Sequence, residues 1–191
     1  MCSSEKDALR RRIRATRDAI APDRAAVAAA GAAAWAIAVP EIAGARVVAL
    51  YAAVRNELST LPLARALAER CKTLAYPRVI EARGALAFFS GGPETLVPGH
   101  LQIPEPGPQA PALSVDDIDV FVIPGLAFDG TGTRLGWGKG YYDRTLAGAR
   151  GLRCGFGFEC QVVSKVPRGT SDIAMDRVIT EAGVKIAAAG R

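Results

Sequence analysis

The chain has 191 residues, half of them hydrophobic and 23% charged. That length and apolar content suit a single domain, residues 1–191, with a sizeable core, and they exclude a disordered protein. The net charge of +5 does not choose among nucleic acid, an anionic membrane and a polyanionic small molecule as partner.

The longest apolar stretch, residues 25–40, is alanine-rich and short of the roughly 20 strongly apolar residues of a membrane span. Met1-Cys2-Ser3-Ser4 runs straight into charge without the apolar core of a signal peptide, so the expected location is the cytoplasm. Cys2, Cys71, Cys154 and Cys160 form no C-x-x-C pair, and His100 is the sole histidine. Neither a zinc site nor a disulfide framework is expected.

In chain order, residues 5–20 read as a helix. Leu9, Ile13 and Ile20, with the methyl group of Thr16, form one stripe, and Lys6, Arg10, Arg11, Arg12, Arg14 and Arg17 make the helix basic. Pro22-Asp23 breaks it, and Asp23 is placed to cap a second helix that runs to about Val39. Residues 46–51 (RVVALY) read as a buried strand. Residues 60–69 read as a helix with Pro62 early, where a missing amide is harmless. Short strands follow at 72–76 and 86–89.

Glycine and proline make residues 91–111 a long loop across one end of the sheet. A strand is expected at 118–123, then a glycine-rich loop, a helix beginning near Lys139 and a strand at 152–158. The tail adds a short helical segment, a connection around Asp172 and strands near Val178 and Val184. Strands alternating with helices imply a single three-layer α/β/α domain with a mostly parallel, Rossmann-like open sheet. In such sheets the ligand crevice lies at the carboxyl ends of the strands.

The segment DVFVIPGLAFDGTGTRLGWGKGYYDR, residues 119–144, carries the chemistry. Gly130, Gly132, Gly136, Gly138 and Gly140 cost conformational entropy on folding. A loop whose amides approach an anion closely would account for them. Arg134, Lys139 and the N-terminal amides of the following helix add positive charge, which together makes a cradle for nucleotide phosphates. The pattern is neither a P-loop nor a dinucleotide fingerprint. Glycines alone also suit a flexible connection. Tyr141-Tyr142-Asp143 favours instead a ring-shaped ligand and a magnesium ion beside phosphate. Glu57, after the first strand, falls in the expected crevice or on a solvated loop, and Asp172 reads as a cap or turn residue.

Pro124-Gly125-Leu126-Ala127-Phe128-Asp129 followed by Arg134-Leu135-Gly136-Trp137-Gly138-Lys139-Gly140-Tyr141-Tyr142-Asp143 resembles the 5-formyltetrahydrofolate cyclo-ligase family, also called 5,10-methenyltetrahydrofolate synthetases. Weaker matches are Lys6 and Arg10, Tyr51…Glu57, Tyr76-Pro77, Leu86…Phe88, Ile103-Pro104-Glu105-Pro106 and Pro167…Asp172…Asp176. Trp137 occupies a position that varies in the family. Leu86 stands where methionine is expected, a change that bears on pterin packing.

The resemblance implies an enzyme that uses ATP and Mg2+ to close 5-formyltetrahydrofolate into 5,10-methenyltetrahydrofolate. Lys6 and Arg10 would hold the ATP phosphates from the first helix. Arg134, Gly136, Trp137, Gly138, Lys139, Gly140, Tyr141 and Tyr142 would hold ATP from the other side, with Arg134, Lys139 and Tyr142 catalytic. Asp143 and Asp172 would be the metal carboxylates. Ala52, Glu57 and Tyr142 would bind the folate. Neither nucleic acid nor membrane is an expected partner, and the chain is expected to be a monomer. Two rival readings are a relative with the same ATP loop but a different or lost substrate, and a basic nucleic-acid or anion-binding module. The second leaves Tyr141-Tyr142-Asp143 unexplained.

Overall fold

In a computed structural model, which describes residues 2–99 and 102–188, the first helix turns an unexpected face inward. His100 and the Cys2 side chain lie outside the described residues. Helix α1 (Cys2–Asp18) directs Lys6, Leu9, Arg10, Ile13 and Arg17 inward, whereas Thr16 is exposed and Ile20 lies beyond the helix end. Spacings of three and four residues place those five side chains on one face. Only Lys6 and Arg10 stand out from the other arginines at the level of sequence, yet Arg17 is 1% exposed.

Pro22 opens a helix. It is the first residue of α2 (Pro22–Ala38), with Ala21 at the N-cap and Asp23 in the first turn. Asp23 therefore meets the helix dipole and does not cap it. Ala28, Ala29, Ala32, Ala33 and Ala36 are buried, and their small size lets α2 lie close against its neighbours. The single-turn α3 (Pro40–Gly44) follows. Among the described residues no helix is long and apolar enough to cross a membrane.

Next come β1 (Val47–Ala49), α4 (Leu61–Ala68), β2 (Thr73–Ile80) and β3 (Ala85–Ser90). Strand β2 runs past its expected end at Tyr76. Its pairing to β1 stops at Ala75, and beyond that point it forms an antiparallel hairpin with β3. Pro77 thus sits where the strand has lost one neighbour, which a residue without an amide donor tolerates.

Residues 91–111 are not all loop. They contain the antiparallel pair β4 (Leu96–Pro98) and β5 (Pro104–Pro106), followed by β6 (Ala112–Leu113). Arg78 anchors the pair, donating to the carbonyls of Pro106 and Gly107 at 2.6 and 2.7 Å. The remaining elements are β7 (Val120–Pro124), β8 (Ala127–Asp129), β9 (Arg134–Leu135), α5 (Tyr141–Thr145), β10 (Leu152–Phe156), β11 (Val162–Val163), β12 (Arg177–Thr180) and β13 (Gly183–Ile186).

The main sheet has the order β13-β12-β10-β7-β1-β2-β3-β6. Pairing is parallel from β12 through β2 and antiparallel at both margins. From β1 the chain moves outward to β2, then returns to place β7 on the other side of β1. The switch in direction therefore falls between β1 and β7, where an open α/β sheet forms its crevice.

Alternate residues feed two cores, as strand geometry requires. Val48, Leu50, Leu74, Tyr76, Val120, Val122, Cys154 and Phe156 join the alanines of α2 and Leu63 and Leu67 of α4. Ala49, Ala75, Phe121, Ile123 and Val178 face the other way, against Phe88, Phe128, Leu146 and Met175. This second face is covered by α5 and a small sheet of order β11-β8-β9. Phe128 lies against β10 because Gly155 has no side chain; a Cβ there would come within 2.5 Å of the Phe128 ring.

Asp129 organises the small sheet. Its Oδ1 accepts from the Thr131 amide and hydroxyl and from the Thr133 amide, and its Oδ2 accepts from the Val166 amide at 2.8 Å. Burial works to raise its pKa, but these bonds outweigh it and hold the carboxyl below the ordinary carboxylate range. Ile13 of α1 packs here with Ala127, Leu135 and Val166.

Candidate active site

A cavity of about 440 Å³ opens at the β1/β7 switch point, a volume within the usual range for small-molecule sites. All fourteen residues to which the family resemblance assigns a site role line it: Lys6, Arg10, Ala52, Glu57, Arg134, Gly136, Trp137, Gly138, Lys139, Gly140, Tyr141, Tyr142, Asp143 and Asp172. They come from the face of α1, the connection after β1, the segment from β9 into α5, and the connection before β12. Folding thus joins residues 6 and 172 across nearly the full chain.

One end of the cavity is built from opposite charges. Lys6 Nζ lies 2.7 Å from Asp172 Oδ2, which also accepts from the Gly169 amide at 2.7 Å. Burial works to raise the Asp172 pKa, but the bonds from Lys6 and Gly169 and the charges of Lys6 and Arg134 prevail, so it lies below its ordinary value. Arg134 Nη2 reaches both oxygens of Asp143 at 3.1 and 3.2 Å. Asp143 Oδ1 also accepts from the Ile173 amide, which brings the two carboxylates' neighbourhoods together. Arg134 is buried, and its Nε lacks a hydrogen-bond partner among the described residues. The Lys139 side chain is exposed.

The glycine segment divides in two. Gly136, Gly138 and Gly140 line the cavity; Gly138 and Gly140 have φ of +100° and +67°, which a side chain would resist. Arg10 donates to the Gly136 carbonyl at 3.1 Å and its guanidinium passes Gly138. Gly130 and Gly132 instead belong to the turn between β8 and β9, whose Thr131 and Thr133 face a separate groove on the other flank of α1. A phosphate cradle spanning all five glycines is therefore not formed. Likewise α5 begins at Tyr141 and makes only one turn, so few aligned peptides contribute a dipole.

The other end is more apolar, with Val79, Leu86, Ile103 and Pro104 in the wall. Here Glu57 accepts from the Val54 amide and from Trp137 Nε1, both at 3.1 Å. Burial raises its pKa, opposed by these two bonds and by the charges of Arg17 and Arg55. Burial likewise raises the Tyr142 pKa, against the pull of Arg134, so its phenol stays protonated; its ring centre is 5.5 Å from the Arg134 guanidinium. Sequence reasoning did not single out Val79, Arg17 or Arg55. For Arg17 a signal was present: it shares one helical face with Lys6, Arg10 and Ile13.

Magnesium takes oxygen ligands in octahedral geometry and commonly keeps waters and substrate phosphates beside one or two carboxylates. Asp143 and Asp172 supply that donor chemistry. No group of three or more His, Cys, Asp and Glu among the described residues makes a complete protein cage. The donor set fits a cation shared with phosphate.

A Rossmann-like sheet with a charged, glycine-edged cavity at its switch point defines an α/β enzyme. A sequence profile of the 5-formyltetrahydrofolate cyclo-ligase family matches residues 2–181, and the chain belongs to that family. The Escherichia coli K12 5-formyltetrahydrofolate cyclo-ligase is 33% identical over 178 residues, covering 90% of this chain and 98% of the relative. The solved Aquifex aeolicus 5,10-methenyltetrahydrofolate synthetase superimposes with a TM-score of 0.84 at 31% identity, covering 97% of this chain and 94% of that one. A Mycoplasma pneumoniae structure, 23% identical with a TM-score of 0.75 over 92% of this chain and 98% of that one, shares the fold.

Proposed function

We propose that this enzyme closes 5-formyltetrahydrofolate into 5,10-methenyltetrahydrofolate at the expense of ATP, releasing ADP and phosphate. The observation that carries the reading is one cavity with two unlike ends in a chain of this family. Paired cations and carboxylates stand at one end, and a buried carboxylate in an apolar wall stands at the other.

The chemistry needs both ends. A formyl oxygen leaves poorly. Attack of that oxygen on the γ-phosphorus, with ADP departing, turns it into a phosphate ester. The N10 lone pair then adds to the formyl carbon, the carbon–oxygen bond breaks with its electron pair leaving on phosphate, and N10 loses its proton. Placement and charge stabilisation are the protein's share of such a transfer.

Lys6, Arg10, Arg134 and Lys139 take the phosphate oxygens. Lys6 and Arg134, which now pair with Asp172 and Asp143, would turn to phosphate when the nucleotide arrives, and Asp143 and Asp172 would be the carboxylates that hold Mg2+, so little net charge would be left buried without a partner. The metal would supply an offset to negative charge on the transferring group. Glu57 accepts hydrogen bonds from the pterin, Ala52 leaves room beside it, and the Tyr142 phenol donates near the reacting oxygen while its ring packs against the folate.

The test is ultraviolet absorbance of the methenyl product after mixing purified protein with 5-formyltetrahydrofolate, ATP and Mg2+. Product should form only when all three are present. Product formed without ATP, or none formed with the complete mixture, counts against the reading.

A further inference from the structure

Arg17 is an expensive residue. It is 1% exposed, it forms no ion pair among the described residues, and its Nε and Nη1 lack hydrogen-bond partners. A charged group held this way costs stability unless it performs some task. Its one bond goes from Nη2 to the Arg55 carbonyl at 2.5 Å. Its guanidinium carbon lies 5.6 Å from the centre of the Trp137 ring, whose Nε1 donates to Glu57.

The loop it touches is strained. Arg55 and Asn56 have φ of +49° and +58°, the left-handed region, which asparagine tolerates but which costs a residue such as Arg55 roughly 1 kcal/mol or more. They are the central residues of a turn closed by the Glu57 amide on the Val54 carbonyl at 3.0 Å. Strain of this kind persists where surrounding contacts enforce it. Two contacts from the end of α1 do so: Arg17 on the Arg55 carbonyl, and Asp18 accepting from Asn56 Nδ2 at 3.2 Å. The turn in turn aims the Glu57 carboxylate.

We propose that Arg17 is a positioning residue for the folate end of the site, pinning the Arg55–Asn56 turn and the Trp137 ring so that Glu57 faces the pterin as a carboxylate. The role rests on the proposed function, and Arg17 shares the Trp137 ring with Arg14 and Arg55, at 5.4 and 5.2 Å. The charged and titratable groups facing Glu57 are Arg17 from α1, Arg55 from its own turn, Tyr51 beyond β1 and Tyr142 of α5. Arg17 and Arg55 oppose the burial that raises the Glu57 pKa. Loss of Arg17 should raise it further.

The test uses Arg17→Met and, because that variant may lose too much packing to fold, Arg17→Gln, which keeps a donor for the Arg55 carbonyl. Both are made in a Trp35→Phe background so that emission reports on Trp137 alone. With ATP saturating, KM for 5-formyltetrahydrofolate should rise about tenfold in Arg17→Met, a typical loss for a hydrogen bond from a charged group, while KM for ATP stays within about twofold. The emission midpoint that tracks Glu57 titration should move to higher pH in whichever variant folds. A midpoint unmoved from the parent's, or KM values for both substrates rising in step, overturns the proposal and leaves Arg17 a general support of the fold. Since the midpoint needs no substrate, a parent protein inert toward 5-formyltetrahydrofolate counts against the proposed function alone.

Discussion

At one end of the cavity, Asp143 and Asp172 each face a cation before any substrate is present; at the opposite end, Glu57 is held by an amide and an indole, both neutral. The contrast in pKa follows, since Asp172 lies below its ordinary value and Glu57 above. Paired charges can be exchanged for other charges, which suits a ligand that arrives as a metal–polyphosphate. A carboxylate held by neutral donors, with no cation bonded to it, gains from a ligand that brings further hydrogen-bond donors without charge, as a pterin does. Under the proposed function the two ends would meet different partners, with the same residue chemistry in different surroundings.

The strongest test of this division removes a cation from the charged end. Arg134→Ala should lower kcat by about 10²- to 10³-fold, the usual loss for a group stabilising transition-state charge, with circular dichroism confirming the fold. Parental turnover would break the comparison at once.

Glu57→Gln should raise KM for 5-formyltetrahydrofolate by about 10- to 100-fold and leave KM for ATP little changed. A carboxyl whose folded pKa is raised costs stability above its unfolded value, and the cost grows until pH passes the folded value. Calorimetry on the parent should therefore show this contribution as a melting temperature that falls as pH rises across that window. In the parent, activity toward the folate should fall as pH drops through the raised Glu57 value.

Asp143→Asn should raise the magnesium concentration for half-maximal rate by about tenfold, or roughly 1.4 kcal/mol, measured by metal titration at fixed ATP; an unchanged titration removes Asp143 from the metal site. Leu86→Met should have the smallest effect, shifting KM for the folate by no more than about twofold, because the exchange conserves volume.

Much of this was legible in the sequence because the loop from Arg134 to Asp143 is contiguous and its residue types are unusual together. Short apolar runs such as residues 46–51 likewise gave the buried strands. What was hidden depends on partners distant in sequence. Gly130 and Gly132 look like the other glycines, and only the pairing of β8 with β9 assigns them to a turn. The β4–β5 pair is held by Arg78 from another strand, so local proline and glycine content pointed to loop. Arg17 was obscured because a basic face is normally solvated, whereas here α1 presses that face onto Trp137 and the Arg55 turn.

The four donors gathered on Asp129 give the molecule a weak point toward acid. A carboxyl with a depressed folded pKa stabilises the fold above its unfolded value and forfeits that contribution as pH falls through the folded one. Once pH falls below the ordinary carboxylate range and through that depressed value, its protonation loosens the β8–β9 turn and the Val166 connection together, and with them the seat of Ile13. The first helix should then peel away while the parallel strands persist, so that hydrogen exchange in acid would show residues 6 and 10 melting ahead of the scaffold that surrounds them.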